Sequence, residues 1–307
     1  MRLGVRSGTA ELKITCVCPR VPVLTQAARE ICLSAPPGPC SGGPVNPSEL
    51  LALFDREMRE HARPDGPGVR VERDGPLVRQ VGAADDWNGV VWSAPEMDGA
   101  AADAAIAAQV AHYTGLGHDE FEWKCYAHDR PHDLGRRLRA AGFVPEDAET
   151  LLVAPVTELP TAVVLPPGVR LHPVTDTAGV ELMVRAHEAA FGGDGARLRH
   201  RALTRLAEAP ETFVAVVALA GDEPVSAARM EWVPGTGFAG FWGGGTDPRW
   251  RGRGVYRALT AHRVRIAAER GYRYLQVDAT DRSAPILRRL GFTALSRTTP
   301  YVYRTTP

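Results

Sequence analysis

The chain has 307 residues, 44% hydrophobic and 23% charged, the make-up of an ordinary globular protein and more length than one core of modest size requires. Lys and Arg number 36 against 36 Asp and Glu, so no overall field draws the protein to nucleic acid or to an acidic membrane. No apolar run is long enough to span a bilayer, and Lys13, Arg20 and Arg29 lie scattered among short apolar stretches unlike a signal or transit peptide, so a cytoplasmic location is expected.

Residues 1–44 hold Cys16, Cys18, Cys32 and Cys40, four of the five cysteines, around a segment rich in Pro and Gly. A Cys-x-Cys pair followed by two widely spaced cysteines is not a standard zinc arrangement, so reduced thiols and no metal are expected. This stretch reads as a poorly ordered extension or an upstream start-codon artefact.

From Asn46 the pattern becomes regular. NPSELLALFDREMREHA predicts a helix capped by Asn46 or Ser48, with Leu51, Phe54 and Met58 on one face. VRVERDG and PLVRQVG alternate about a turn, and NGVVWSA is a third strand. A helix over 102–116, a strand over 120–128, a short helix over 133–143 and a strand over 149–156 follow. His112, His118, His128 and His132 tempt a metal reading, but HDRPHD is better taken as a strand-to-helix turn in which Asp129 or Asp133 caps the next helix. A proline-bearing linker over 161–167 then separates a domain at 45–160 from one at 168–307.

The second domain opens with a strand over 169–176 and helices over 178–192 and 202–210. Strands over 211–219, 224–234 and 237–246 lead into TDPRWRGRGVYRALT, a long helix, the strand YLQVDAT, a short helix and a final strand. The helix-strand order echoes the first domain, and LGRRLRAAGF parallels APILRRLGF, which suggests a duplicated unit.

The turn after residue 246 is the most informative segment. Arg251 to Gly254 present backbone N–H groups at a helix N-terminus, and Arg249, Arg251, Arg253 and Arg257 surround them, an arrangement suited to a diphosphate. A solvated basic turn is the alternative. No Gly-Lys-Ser/Thr follows, which excludes a Walker A loop, and no acidic residue closes a Rossmann unit. The first domain has instead the acidic GAADDWNGVVWSAPEMDGAAD before its long helix, a poor place for pyrophosphate.

These residues resemble the GNAT N-acetyltransferase family. Its pyrophosphate signature is matched by Arg251, Gly252, Arg253, Gly254, Val255 and Tyr256, with Tyr256 where a small residue is usual. A second signature is matched by Asp281, Ala284, Leu287, Arg288, Leu290, Gly291 and Phe292, with Arg288 where the family places a proton-donating tyrosine. The resemblance implies an α+β fold of two GNAT-like domains, each a mixed, mostly antiparallel sheet flanked by helices, the first degenerate. It also implies acetyl-CoA as co-substrate, with Trp242, Gly244 and Thr246 joining the two signatures in holding it. The acceptor is expected to be a small-molecule or peptide amine, and the protein a monomer or homodimer.

Direct transfer needs no protein nucleophile, only a group to take the amine's proton. Glu231 and Asp278 are the candidate bases, against a solvent-facing strand residue and a cap respectively. Arg288 cannot donate a proton but can stabilise a departing thiolate; Tyr301 and Tyr303 are substitutes, with core packing as the competing role. Backbone N–H groups between Trp242 and Gly244, where the glycines permit a bulge, can polarise a thioester carbonyl. The function expected is acyl-CoA-dependent N-acyl transfer; a non-catalytic acyl-CoA sensor and an O-acyltransferase are the alternatives.

Overall fold

The computed structural model describes residues 46–305, and the first of them is already a helix cap. The four N-terminal cysteines and the expected extension over 1–44 lie outside this range. Asn46 Oδ1 accepts from the Ser48 N–H at 3.0 Å and starts α1, Pro47–Phe54, with proline in the first turn where its missing N–H costs nothing. A continuous α-helix was expected to residue 62. Instead the chain widens into a π-helical turn over Asp55–Glu60. That turn carries Arg59, which is 3% exposed, bonds Asp129 at 2.8 and 2.9 Å and Asp55 at 2.7 Å, and lies 4.0 Å over the Tyr126 ring.

This pairing also corrects the expected cap role of Asp129. Its carboxylate is committed to Arg59 and to the Tyr126 N–H at 2.9 Å, while Asp133 at the next helix start bonds Arg136 and Arg137 and caps no backbone N–H. His128 bridges Ser296 at 2.8 Å and Asp55 at 2.9 Å.

The helices after α1 are α2 (Gly99–Gly115), α3 (Leu134–Ala140), α4 (Thr177–Phe191), α5 (Ala196–Glu208), α6 (Val255–Glu269) and α7 (Ala284–Arg289). The first-half strands are β1 (Arg70–Asp74), β2 (Leu77–Val81), β3 (Gly89–Ser93), β4 (Glu120–Tyr126), β5 (Val144–Pro145) and β6 (Glu149–Pro155). Those of the second half are β7 (Val169–Pro173), β8 (Phe213–Ala220), β9 (Glu223–Trp232), β10 (Phe238–Thr246), β11 (Tyr274–Ala279) and β12 (Thr293–Arg304).

All the strands join one sheet in the order β1-β2-β3-β4-β12-β6-β11-β10-β9-β8-β7, with β5 beside β12. Among the described strands only β3–β4 and β10–β11 pair in parallel, each joined by a long helix, α2 or α6, as a parallel crossover requires. The sheet is therefore mixed and mostly antiparallel with helices flanking it, as the sequence predicts.

The centre of the sheet is where the halves interlock. β6 ends the first half in sequence, yet Thr150–Pro155 pairs with Tyr274–Ala279 of β11 in the second. β12 in turn sends Thr298–Arg304 back to Glu120–Tyr126 of β4, while Thr293–Thr298 pairs with β6. Each half thus takes its closing strand from the other.

Period-two alternation on these strands separates the faces. Leu152 and Ala154 of β6 and Leu275 of β11 pack with Val264 and Ala267 of α6 and Leu287 of α7. The alternate residues Leu151, Val153 and Tyr274 turn the other way and meet Leu50 and Phe54 of α1, with Tyr126 and Phe238. Farther out on that second face, α4 and α5 cover Phe213, Ala215 and Ala227. Phe121 and Trp123 of β4 pack with Ile106 and Tyr113 of α2 and Leu138 of α3. No helix among the described residues is long and apolar enough to cross a membrane.

Candidate active site

β10 leaves the sheet at Thr246, whose hydroxyl shares a bond with Ser226 Oγ at 2.9 Å. Asp247 then caps a short turn by accepting from the Arg249 N–H at 2.8 Å. Gly252 and Gly254 follow with φ of 75° and 87°, the left-handed region that a side chain strains, and a Cβ built at either meets nothing within 4 Å. Gly254 is the cap residue of α6 and brings no side-chain oxygen to it. The first helical bond is Ala258 N–H to Gly254 C=O at 3.0 Å, so the N–H groups of Val255, Tyr256 and Arg257 have no intrahelical acceptor. A cradle of this kind, open above and lined by backbone donors, fits a diphosphate.

The four arginines divide into two pairs. Arg249 is neutralised by Asp247 at 2.7 Å and Glu223 at 2.6 Å, and Arg251 donates to the carbonyls of Thr246 at 3.1 Å and Ala190 at 3.0 Å. Both hold the loop together. Arg253, stacked 4.7 Å over Trp250, and Arg257 are exposed and enter no ion pair among the described residues. Tyr256 turns inward: its ring packs on the core, and a Cβ at Gly244 would stand 2.9 Å from its Cε2. A large residue at this position is compatible with the cradle because its ring leaves it. The matching end of α2 is closed by Asp98, which accepts from the Ala101 N–H at 2.8 Å and sets a negative charge where the cradle would be.

Beside the cradle the sheet splits. β10 and β11 pair only from Phe238–Gly240 to Tyr274–Gln276, and farther along β10 bulges between Trp242 and Gly245, with Gly243 at φ 55°. The bulge expected from the glycine run is present. Beneath it lies Arg263, 1% exposed, which donates to the carbonyls of Arg229 at 2.9 Å and Leu259 at 3.3 Å and rests 3.9 Å over Phe241. With no carboxylate beside it, burial lowers its pKa to about 10.

The strand registers set a polar row on the face opposite α6. Glu231, Gly240 and Gln276 are direct neighbours across β9, β10 and β11, and Arg229 is opposite Trp242. The indole lies over Gly240, where a Cβ would come within 2.6 Å of Nε1 and 3.0 Å of Gln276 Nε2. Glu231 is held by Arg229 at 3.1 Å and Arg205 at 3.6 Å.

Two positions beyond Gln276 is Asp278, whose side chain is 3% exposed and bonded through Oδ2 to Lys124 of β4. Asp278 Oδ1 and Gln276 Oε1 are buried without a partner among the described residues, an expensive arrangement unless a donor arrives from outside. Lys124 also lies 5.9 Å from the Trp242 ring centre, and Asp278 raises its pKa against the opposing effect of burial. Glu122, bonded to Trp87 at 2.7 Å, is pushed up by burial. Glu149 of β6, half-buried, is pushed up to about 7 by burial and then by the Asp278 carboxylate.

The structure therefore brings together Trp242, Gly244, Thr246 and residues 251–256, with Glu231 and Asp278 on the neighbouring face. It sends Tyr303 elsewhere: the ring packs 5.7 Å from Phe121 and 5.1 Å from Phe143 in the core of the first half. Tyr301 packs in the same core. Ala284 is buried at the start of α7, Asp281 pairs with Arg297 at 3.1 Å, and Arg288 is exposed. Glu149, Lys124 and Gln276 escaped the sequence reading. The first two belong to the half without a phosphate turn, and only the exchanged strands bring them here.

The fold has counterparts among known proteins. Residues 180–292 match the acetyltransferase (GNAT) family. The chain is similar in fold to a GCN5-related N-acetyltransferase from Kribbella flavida, at 20% identity and TM-score 0.60 over 83% of this chain and 93% of that one. A GCN5-related N-acetyltransferase from Sphaerobacter thermophilus gives 16% and 0.57 over 86% and 95%, and a tandem GNAT protein from the clavulanic acid biosynthesis pathway gives 14% and 0.55 over 92% and 94%. No functionally curated protein matches the chain.

Proposed function

We propose, from the premise that residues 180–292 form a GNAT-family acetyltransferase domain, that this protein is an acyl-CoA-dependent N-acyltransferase with acetyl-CoA as donor and an amine as acceptor. The observation that carries the reading is the uncapped N-terminus of α6, reached through two left-handed glycines and opening beside the split between β10 and β11. The N–H groups from Gly252 to Arg257, with Arg253 and Arg257, hold the diphosphate in this reading. Bound there, the co-substrate supplies an acyl group activated as a thioester.

The chain's own residues do the rest. An amine attacks only when neutral, so a base must take its proton, and a base poised near neutral pH does this best. Glu149 stands on the same strand face two positions before Leu151, the cross-strand neighbour of Asp278, and its pKa is raised to about 7, so it is the base in this reading; Asp278 and Gln276 receive the remaining N–H groups of the acceptor. Glu231, with both neighbouring guanidiniums engaged, positions Arg229 in this scheme. The bulge at Trp242–Gly245 offers N–H groups to the oxygen that gains charge, and Arg288 offers the departing sulfur a positive charge instead of a proton. The first half contributes a wall and a base without a donor site of its own.

The test is calorimetric titration of acetyl-CoA into the protein and into Gly254→Val, followed by a thiol-release assay over primary amines. Saturable binding that the variant loses, with thiol release dependent on an amine, supports the reading. Absence of binding by the folded protein overturns it, and binding without turnover of any amine or alcohol leaves an acyl-CoA sensor.

A further inference from the structure

The row of side chains across β9, β10 and β11 has opposite character at its two ends. Among the described residues, the β11 side of Trp242 sets Glu122, Glu149 and Asp278 against the Lys124 cation, with two buried oxygens, Gln276 Oε1 and Asp278 Oδ1, that lack donors there. Gln276 is 5% exposed and Asp278 3% on its side chain, so solvent does not meet the need freely. What fits two unpartnered acceptors among carboxylates is a donor-rich cation, and an ammonium carries three N–H groups.

On the β9 side the balance reverses. Among the described residues Arg201, Arg205 and Arg229 form ion pairs with Asp65 and Glu231 alone: Arg201 pairs with Asp65 at 3.3 Å, while Arg205 and Arg229 share Glu231. One guanidinium is in excess. It is Arg229 that reaches the bulge, since a Cβ at Gly243 would stand 2.5 Å from its Nη1. Among the described residues its one side-chain hydrogen bond is to Glu231, through Nε, which leaves the terminal nitrogens to an incoming anion. Arg229 and Asp278 lie on strands either side of Trp242, separated by more than two ordinary strand spacings of about 10 Å in all because β10 and β11 have parted beyond Gly240 and Gln276, room for a small molecule to lie between the two side chains.

We propose that the acceptor is a small amine that also carries a carboxylate, its nitrogen received by Gln276 Oε1 and Asp278 Oδ1 and its carboxylate by Arg229, with Trp242 between them. This rests on the acyltransferase reading and narrows it. In the transfer the bound ammonium first gives one proton to Glu149, the neutral nitrogen then forms the N–C bond as the C–S bond breaks, and the second proton it sheds passes by way of solvent to the departing thiolate.

The inference is tested by binding, in the presence of CoA, of glycine, β-alanine, 4-aminobutyrate and lysine, each against its primary amide, by calorimetry. For at least one pair, the amide is expected to bind at least about tenfold more weakly than the acid, the loss of one charged hydrogen bond. Arg229→Gln is expected to remove that difference and Arg229→Lys to keep part of it, which separates lost recognition from lost folding. Equal binding of acid and amide by the wild type, or a preference that survives Arg229→Gln, overturns the inference and leaves amine acylation standing. Failure of CoA itself to bind strikes the acyltransferase reading and takes this inference with it.

Discussion

Lys124 reaches Asp278 across two intervening strands, β12 and β6, and so joins the fourth strand of the first half to the eleventh of the whole chain. The pair is buried, so removing one member strands the other. Lys124→Met is expected to destabilise the protein by about 3–5 kcal/mol, the cost of an uncompensated buried charge. The double variant Lys124→Met with Asp278→Leu should recover most of that loss. Urea denaturation of the three proteins checks this, and additive losses would show that the pair is not coupled.

The arginines of the turn are expected to separate by role. Arg253→Ala and Arg257→Ala should each weaken acetyl-CoA binding by about tenfold, in line with one charged hydrogen bond, and leave the melting temperature unchanged. Arg251→Ala should lower the melting temperature, because it releases the carbonyls of Thr246 and Ala190 that tie the turn to the end of α4. Calorimetry paired with thermal melts on each variant decides it. A stability loss in Arg253→Ala would move that residue to the structural group.

At the other helix, Asp98→Ala should cost about 1 kcal/mol through the lost bond to Ala101. It should leave acetyl-CoA affinity untouched, since the cradle is at α6. A change in affinity would mean that the first half takes part in donor binding.

Glu149 makes a pH prediction with a definite sign. Its folded-state pKa stands near 7, above the ordinary 4.5, so the folded protein holds this proton more tightly than the unfolded chain. Its contribution to stability is present below pH 4.5 and is lost as the pH rises toward 7. Glu149→Gln should flatten that part of the stability profile and make the protein more stable above pH 7. In kcat/KM the same variant should lose the limb near pH 7 on the acid side. A limb that survives the substitution assigns the proton to another group.

The turn and the bulge were legible because their signals are local. Gly252 and Gly254 flank arginines within four residues, and the run Gly243 to Gly245 marks a place where a strand can kink. The helix cap Asn46 belongs to the same class. What the sequence concealed is non-local. Tyr303, on the final strand, stands in the sequence as a substitute proton donor with core packing as the competing role, and core packing is what the structure shows, because the strand carrying it crosses into the first half and packs it against Phe143. Glu149 was hidden by the reverse movement. Period-two alternation says which face a strand residue takes and nothing about the neighbour that strand will choose. The π-helical turn at Asp55–Glu60 was unreadable for a similar reason, since Arg59 is anchored by Asp129, seventy positions later.

The crossing of β12 back to β4 also orders events in time. While the chain is being made, the first half has β1 to β4 in hand but an open edge on β4, and the strand that covers it lies at residues 298–304. An uncovered edge is a template for pairing with other chains. The sheet of the first half thus cannot be completed until nearly all of the second has left the ribosome, and a nascent chain arrested before residue 298 keeps the β4 edge uncovered.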